Sequence, residues 1–517
     1  MAPARSGEPH KWVVAGTVLT GTIMAVLDSS IVNVALPDIR GNLGVTVEQI
    51  TWVVTGYILA NVVIMPLIAL LSERFGRKHF YMASVALFTG ASMMCGISRT
   101  LPVLVFFRVL QGIGGGVLMT ISQAILRETF PVEEQGMAMG IYGLGVVLAP
   151  AIGPTLGGWI TDQYSWPWIF YVNVPIGALN LYLVNRFVED PPYLIRRRGM
   201  GDYLGVGLMT VGLASLQLLL EGGQRHDWFE SPYIRWLAGV TLAGLLLFVV
   251  RELVTARPAV ELRIFRDRSF AVATTLGGIL GMGLMGSLFL LPLFLQNLLG
   301  YTAMKSGLAL MPRSGAMAVM FPLSGRFYNR LGPRFLVATG LAVSAYSFWE
   351  LSKLTTLVGY WDIFWPQVWQ GVGFSLIFIA LTTAALSTIS KPKMTAASGL
   401  YNVVRQVFGS IGVALSATEL TKGTTRFHAL LVEHLTPYDL PTRAWLAGAT
   451  RGMAATGLDA GSAHRTALRL LDLTTLRQAA VMGYNRVFAL TAVLFAVGVP
   501  LALVLRREAI PEESERS

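Results

Sequence analysis

The chain reads as an all-α polytopic membrane protein of fourteen spans, two six-helix units with two extra helices between them. Three observations predict this: too few charges for a chain in water, apolar runs of membrane-crossing length, and an internal repeat. Of 517 residues, 40 are Lys or Arg and 29 Asp or Glu, 13% in all, about half the roughly 25% of a soluble domain. Several soluble domains are therefore excluded. The net charge of +11 raises nucleic acid as a partner only until the charges are located along the chain.

A bilayer core about 30 Å thick takes about 20 helical residues to cross. The first unit holds a span at 12–36, with Asp28 inside it, then charge-free runs at 49–72, 79–98, 109–126, 135–161 and 163–185. The extra pair is 203–220 and 236–250. The second unit holds 269–304, 305–324 around Arg313, 335–349, 363–390, 395–418 around Arg405, and 487–505. The expected organisation is an N-terminus 1–11, a six-helix half 12–187, a linker region 188–269, a second half 270–505 and a tail 506–517. An even count puts both termini on one side. Alternate segments starting with the N-terminus hold 23 Lys and Arg against six in the opposite short loops, so both termini are expected in the cytoplasm. The segment 420–483 adds seven to the outer side, but at that length it falls outside the rule. The excess charge thus reports orientation, with no nucleic-acid partner expected. A short polar head running straight into a long span reads as an uncleaved first helix.

The repeat appears in two places. ALLSERFGRK (69–78) matches GRFYNRLGPR (325–334) at an offset of 256, and Gln111-Gly112-x-Gly114 matches Gln370-Gly371-x-Gly373 at 259. Two duplicated six-helix halves with a substrate site at their interface make an architecture built for alternating access.

Charges at membrane depth cost about 2.5–3.5 kcal/mol even on the mildest scale, so each needs a partner, a wet cavity or a function. Asp28 lies two-thirds of the way along the first span in LDSSIVNVALP (27–37), five residues before Asn33. Such a carboxyl can load and release a proton as the site opens to either side; alternatively, headgroups wet it at the helix end. Arg108 opens the fourth span in FFRVLQGIGGG (106–116), with Gln111 one turn further on the same face. It stays charged and can bias a nearby carboxyl without carrying the proton, or it snorkels to the interface. The repeat places Gly286 against Asp28 and Gln367 against Arg108, which concentrates the ionic chemistry in the first half. Arg313, Arg405, Glu350, Glu419 and Arg486 read mostly as boundary charges or structural pairs. Glu221 and Asp227 read as solvated.

The expected substrate cavity is lined by Asn33, Tyr57, Asn61, Gln111, Gln123, Asn402, Arg405 and Gln406. The fifth span carries Gly153, Pro154, Gly157 and Gly158. Small residues permit close helix approach and proline loosens the helix, so this face can pack tightly, bend, or do both. No cofactor is expected. Cys95 is the one cysteine and the six histidines lie outside the apolar runs, which argues against a metal site. Gly112 to Gly116 follow no strand and lack dinucleotide-loop spacing.

These stretches together resemble the fourteen-helix drug:proton antiporter family of the major facilitator superfamily, and within it the EmrB/QacA-like multidrug efflux pumps. The resemblance covers essentially the whole chain. Residues 69–78 are similar to the superfamily's cytoplasmic signature, departing at Ala69, where glycine is usual, and at Glu73, where aspartate is usual. It implies a conformational clamp at Glu73, Arg74, Gly76 and Arg77. It also implies proton coupling at Asp28 and Arg108, and gating at Gly153, Pro154, Gly157 and Gly158 in an antiporter motif. WPWIFYVNVPIG (166–177) resembles the start of the sixth helix in this subfamily and carries no evident chemistry. The implied function is proton-coupled export of amphipathic, drug-like compounds from a bacterial cytoplasmic membrane by a secondary transporter, not an enzyme. The segment 420–483, with an irregular amphipathic stretch at 465–480, is a contact for a periplasmic membrane-fusion adaptor and outer-membrane channel, or else a cover over the outer gate. The alternatives are a proton-coupled importer or exporter of one metabolite, and an intramembrane enzyme.

Overall fold

The computed structural model describes residues 11–190, 202–255, 258–436 and 438–505, and among them there are helices and short connections but no strand. The tails 1–10 and 506–517 lie outside the described residues. Helices α1 (Lys11–Leu43), α2 (Glu48–Phe75), α3 (Arg77–Ile97), α4 (Leu101–Thr129), α5 (Val132–Gln163) and α6 (Trp168–Phe187) come first. The pair α7 (Tyr203–Gly222) and α8 (Pro232–Val254) follows, then α9 (Arg268–Asn297). A long helix, Ala303–Leu351, breaks at Gly332 into α10 (303–331) and α11 (333–351). The last three are α12 (Tyr360–Ser387), α13 (Met394–Glu433) and α14 (Ala460–Ala502). Among the described residues, ten of these meet the length and apolarity needed to cross a membrane.

Local chemistry explains where the helices start and turn. Asp202, Asp267 and Asp459 cap α7, α9 and α14 by accepting from the backbone N–H of Gly205, Phe270 and Ser462. Gly76, at φ 84°, turns the chain between α2 and α3, and Gly332, at φ 77°, does the same between α10 and α11. A side chain at either position would be strained, and they are 256 residues apart, the offset of the repeated loop.

Helix packing repeats with the sequence. In the first unit α1 packs on α4, α5 and α6, α2 on α4, and α3 on α4 and α6. In the second, α9 packs on α12, α13 and α14, α10 and α11 on α12, and α11 on α14. The units meet on the membrane face that carries 72–78 and 325–334, hereafter the basic face. There Gly136 of α5 lies against the backbone of Gly325 of α10, Gly140 and Gly143 lie against Phe321, and Gly399 of α13 lies against the carbonyl of Met65 in α2. The pair α7 and α8 packs on itself through Gly212 and Gly244, and α7 touches both α2 and α13. Large apolar side chains of α8, among them Leu242, Leu246 and Val250, stay exposed, as a lipid-facing helix requires.

At 40 and 43 residues, α13 and α14 run to about 60 Å, twice a bilayer core. Their ends opposite the basic face continue as a helical hairpin joined through a short helix, Leu440–Ala454. Glu419 pairs with Arg486 at 3.5 Å and Asp472 with His428 at 2.9 Å between the two. Most of segment 420–483 is therefore helical, well beyond the single amphipathic stretch that periodicity picks out.

Candidate functional site

Asp28 is wholly buried and Arg108 is 1% exposed. Oδ2 of Asp28 accepts from Arg108 Nη1 at 2.6 Å, and Oδ1 accepts from Gln111 Nε2 at 2.8 Å and Asn173 Nδ2 at 2.7 Å. The guanidinium also donates through Nε to the Val53 carbonyl at 3.0 Å and through Nη1 to Gln111 Oε1 at 2.7 Å. It lies over the Tyr57 ring at 4.3 Å and the Phe170 ring at 5.8 Å, as a desolvated cation on an aromatic face does. Asn173 is set in turn by Ser92 of α3, at 3.0 Å. Five helices, α1, α2, α3, α4 and α6, thus converge on one buried carboxylate. Its charge is balanced and both oxygens are satisfied, the condition for an ion pair to persist away from water.

Asn173 is the residue that sequence reasoning missed. It lies in 166–177, the stretch read above as carrying no evident chemistry, and that reading is corrected here: this amide is one of the three donors on Asp28. A lone asparagine in an aromatic run has no spacing signal; only folding brings it 145 residues back along the chain to α1.

The second unit carries a related cluster with different charges. Gly371 packs on the Arg313 carbonyl and Ala316, as Gly112 packs on Tyr57 and Ala60, so Arg313 stands where Tyr57 stands in the first unit. Arg313 Nη1 donates to Ser287 Oγ at 2.7 Å and to Gln370 Oε1 at 3.0 Å, and Ser287 Oγ donates to the same Gln370 oxygen at 2.9 Å. The structure corrects the sequence alignment by one residue. Ser287, not Gly286, bonds Gln370 as Asp28 bonds Gln111, at the same offset of 259 that relates the two glutamines. Arg313 is 4% exposed, so it is no boundary charge.

On the basic face Arg77 is buried and donates to both oxygens of Glu128 on α4, at 3.1 Å for Nη2–Oε1, and to Thr395 Oγ1 on α13 at 3.2 Å. The last bond crosses between the units. Glu128 is a second residue that sequence reasoning missed. Arg74 is exposed over Phe75, and Glu73 is half-buried on the same turn. Asn402 Nδ2 of α13 donates to Gln123 Oε1 of α4 at 2.7 Å, another bond between the units.

The residues expected to line the cavity divide between buried and accessible positions. Tyr57, Asn61, Gln111, Gln123 and Asn402 are all buried, none above 6%. Tyr57 Oη donates to the Ala25 carbonyl at 3.2 Å and Asn61 Nδ2 to the Tyr57 carbonyl at 3.1 Å, whereas Gln123 Nε2 and Asn402 Oδ1 are buried without a hydrogen-bond partner. Asn33 is exposed, and Arg405 and Gln406 are half-buried, with the Arg405 guanidinium 5.3 Å from the Phe378 ring centre. In α5, Gly153 lies against Ser30 and Gly157 against Ile31 of α1, whereas a Cβ on Gly158 would meet nothing within 4 Å in this conformation. The side chain of Pro154 lies outside the described residues. Glu221 is a further correction, for it is half-buried and accepts from the Thr55 hydroxyl of α2.

A membrane bundle built twice over, with a buried ion pair in one copy and a clamp between copies, defines the class of membrane transporters. The sequence profile of the Major Facilitator Superfamily matches residues 18–413, and the chain belongs to that superfamily. It is 36% identical over 502 residues to a "Fatty acid resistance protein FarB" of Neisseria gonorrhoeae, covering 96% of each chain. It is 34% identical over 477 residues to "Multidrug export protein EmrB" of Escherichia coli K12, covering 92% of this chain and 91% of the relative. Among solved structures it is similar to the human organic anion transporter MFSD10 (TETRAN). That match has a TM-score of 0.62 at 13% identity over 94% of this chain and all of the other, which speaks to the fold alone.

Proposed function

We infer that the protein is a proton-coupled exporter of amphipathic, drug-like compounds, a secondary transporter with fourteen spans arranged six, two and six. The observation that carries this is the buried Asp28–Arg108 pair, held at 2.6 Å on a helix that touches the contact between the units. Relatives named as multidrug export proteins support the direction of transport. A proton arriving at Asp28 removes the negative charge and turns an acceptor into a donor. Arg108 keeps the Val53 carbonyl and Gln111 Oε1 as acceptors, so it is α1 that is released. α1 carries Ser30 and Ile31 against Gly153 and Gly157 of α5, and α5 carries Gly136 and Gly140 against α10. Protonation is thereby linked to the contact between halves through packed backbone, a two-state element of the kind coupling requires.

The clamp on the basic face is closed here, through Arg77, Glu128 and Thr395. With that face in the cytoplasm of a bacterial inner membrane, as the Lys and Arg distribution supports, this is the state open to the outside. The helical hairpin above α13 and α14 exposes Trp445, Leu468, Leu473 and Leu476, a surface suited to a periplasmic membrane-fusion adaptor leading to an outer-membrane channel.

Inverted vesicles test the reading. An inward-acid gradient should drive accumulation of a fluorescent amphipathic dye, and Asp28→Asn should reduce this to background. Dye accumulation at the wild-type rate in Asp28→Asn would overturn the proton-carrier role, and no accumulation in wild type would overturn export.

A further inference from the structure

We propose that Arg313 and its neighbours form a binding site for the carboxylate of a transported amphipath, within the second unit. The inference deepens the export reading by naming a substrate class, and it rests on that reading. The first unit supplies the template. There a guanidinium and a glutamine amide, Arg108 Nη1 and Gln111 Nε2, converge on the two oxygens of the Asp28 carboxylate. In the second unit Gln370 stands for Gln111, and a guanidinium is again present, delivered from α10 by Arg313. The side chain in the place of Asp28 is Ser287, which carries no charge.

The donors are present without the acceptor. Nε2 of Gln370 is buried with no hydrogen-bond partner, although Oε1 of the same amide accepts from Arg313. Gln367, one turn earlier on α12, is wholly buried with both polar atoms unpartnered, and residues three apart on a helix share a face. Among the described residues no carboxylate pairs with Arg313. A buried guanidinium without a counter-charge is unfavourable, and an unmade buried hydrogen bond adds to the cost. An anion with two acceptor oxygens removes both penalties at once. A guanidinium fork suits a carboxylate through charge-assisted bonds, and an amphipath of the exported class supplies one.

The test uses the purified full-length chain and three compounds with one apolar body: dodecanoate, dodecanamide and dodecylamine. Binding is read by quenching of intrinsic tryptophan fluorescence, and transport in proteoliposomes is read separately. Wild type should favour dodecanoate over dodecylamine. Arg313→Gln should lower that preference by about tenfold or more, the scale of a charge-assisted hydrogen bond. Ser287→Asp should do the same while balancing the buried charge, since its carboxylate occupies Arg313 from within; this variant covers the case in which Arg313→Gln fails to fold. Preference unchanged in a folded variant would overturn the site. An Arg313-dependent response to chloride, with no competition from dodecanoate, would make it an inorganic-anion site and overturn the substrate assignment. Arg313-dependent dodecanoate binding without any transport would uphold the site and remove the export reading instead.

Discussion

The two six-helix units share a scaffold and differ in where they place charge. Gly112 and Gly371 bring equivalent helices into backbone contact, and Gly76 and Gly332 make the same left-handed turn. At the centre of the first unit the carboxylate of Asp28 neutralises Arg108; at the centre of the second, Arg313 faces a serine and a glutamine. Close approach and backbone handedness admit only glycine, so those positions persist through duplication. The polar centre has no such constraint and has diverged, leaving one unit with a closed ion pair suited to a proton and the other with a cation suited to an anion.

Parallel charge removal is the strongest way to break the comparison. Arg108→Met strands Asp28 in a buried site and should cost about 3–5 kcal/mol of stability, the effect of breaking a buried pair from one side. Arg313→Met strands no charge and should lie within about 1 kcal/mol of wild type or above it. Thermal unfolding of both proteins in one detergent is the measurement. Equal losses would mean that Arg313 has a counter-charge after all and that the units are electrostatically alike.

How much of this could be read from sequence follows from the same division. Helix positions and the repeated packing were legible because they rest on composition and on glycine-marked turns, which survive in one dimension. Asp28 and Arg108 were legible because a charge in an apolar run is conspicuous, and the structure places them in contact. Asn173, Ser92 and Glu128 were not, because an amide, a hydroxyl or a carboxylate at a helix end has no distinctive local pattern; each matters through a partner 51 to 145 residues away on the folded helices. Arg313 was visible as a charge but left between a boundary charge and a structural pair, since sequence does not tell which way a helix is rotated. Tyr57 and Asn61 were read as cavity lining on polarity alone, and packing gives their hydroxyl and amide N–H carbonyl acceptors within the first unit.

A smaller effect separates the two ends of α5. At the basic face, a Cβ on Gly136 would meet the Gly325 carbonyl oxygen at 2.7 Å, and backbone cannot swing aside. Gly136→Val should force the units apart there at a cost of about 1–3 kcal/mol, shifting the population toward the state open on the basic face. Cys95 is buried, so labelling background is low. Ser398→Cys, at a wholly buried position beside Gly399 on α13, reports the opening: a thiol reagent should react several-fold faster when Gly136→Val is also present. An unchanged rate would mean that this contact does not hold the face shut.

The smallest effect discriminates within the glycine motif itself. Gly153 and Gly158 both belong to the resemblance-based gating set, yet a Cβ on Gly153 would run into Ser30 while one on Gly158 meets nothing within 4 Å. Gly153→Ala should therefore displace α1, the helix that carries Asp28, and reduce transport together with stability. Gly158→Ala should stabilise the protein by about 0.5–1 kcal/mol, the usual gain from restricting the unfolded chain inside a helix, with transport retained. If Gly158→Ala instead impaired transport, α5 must bring that face against another helix in the alternate conformation, and the glycine would be reserved for a contact that only the state open on the basic face makes.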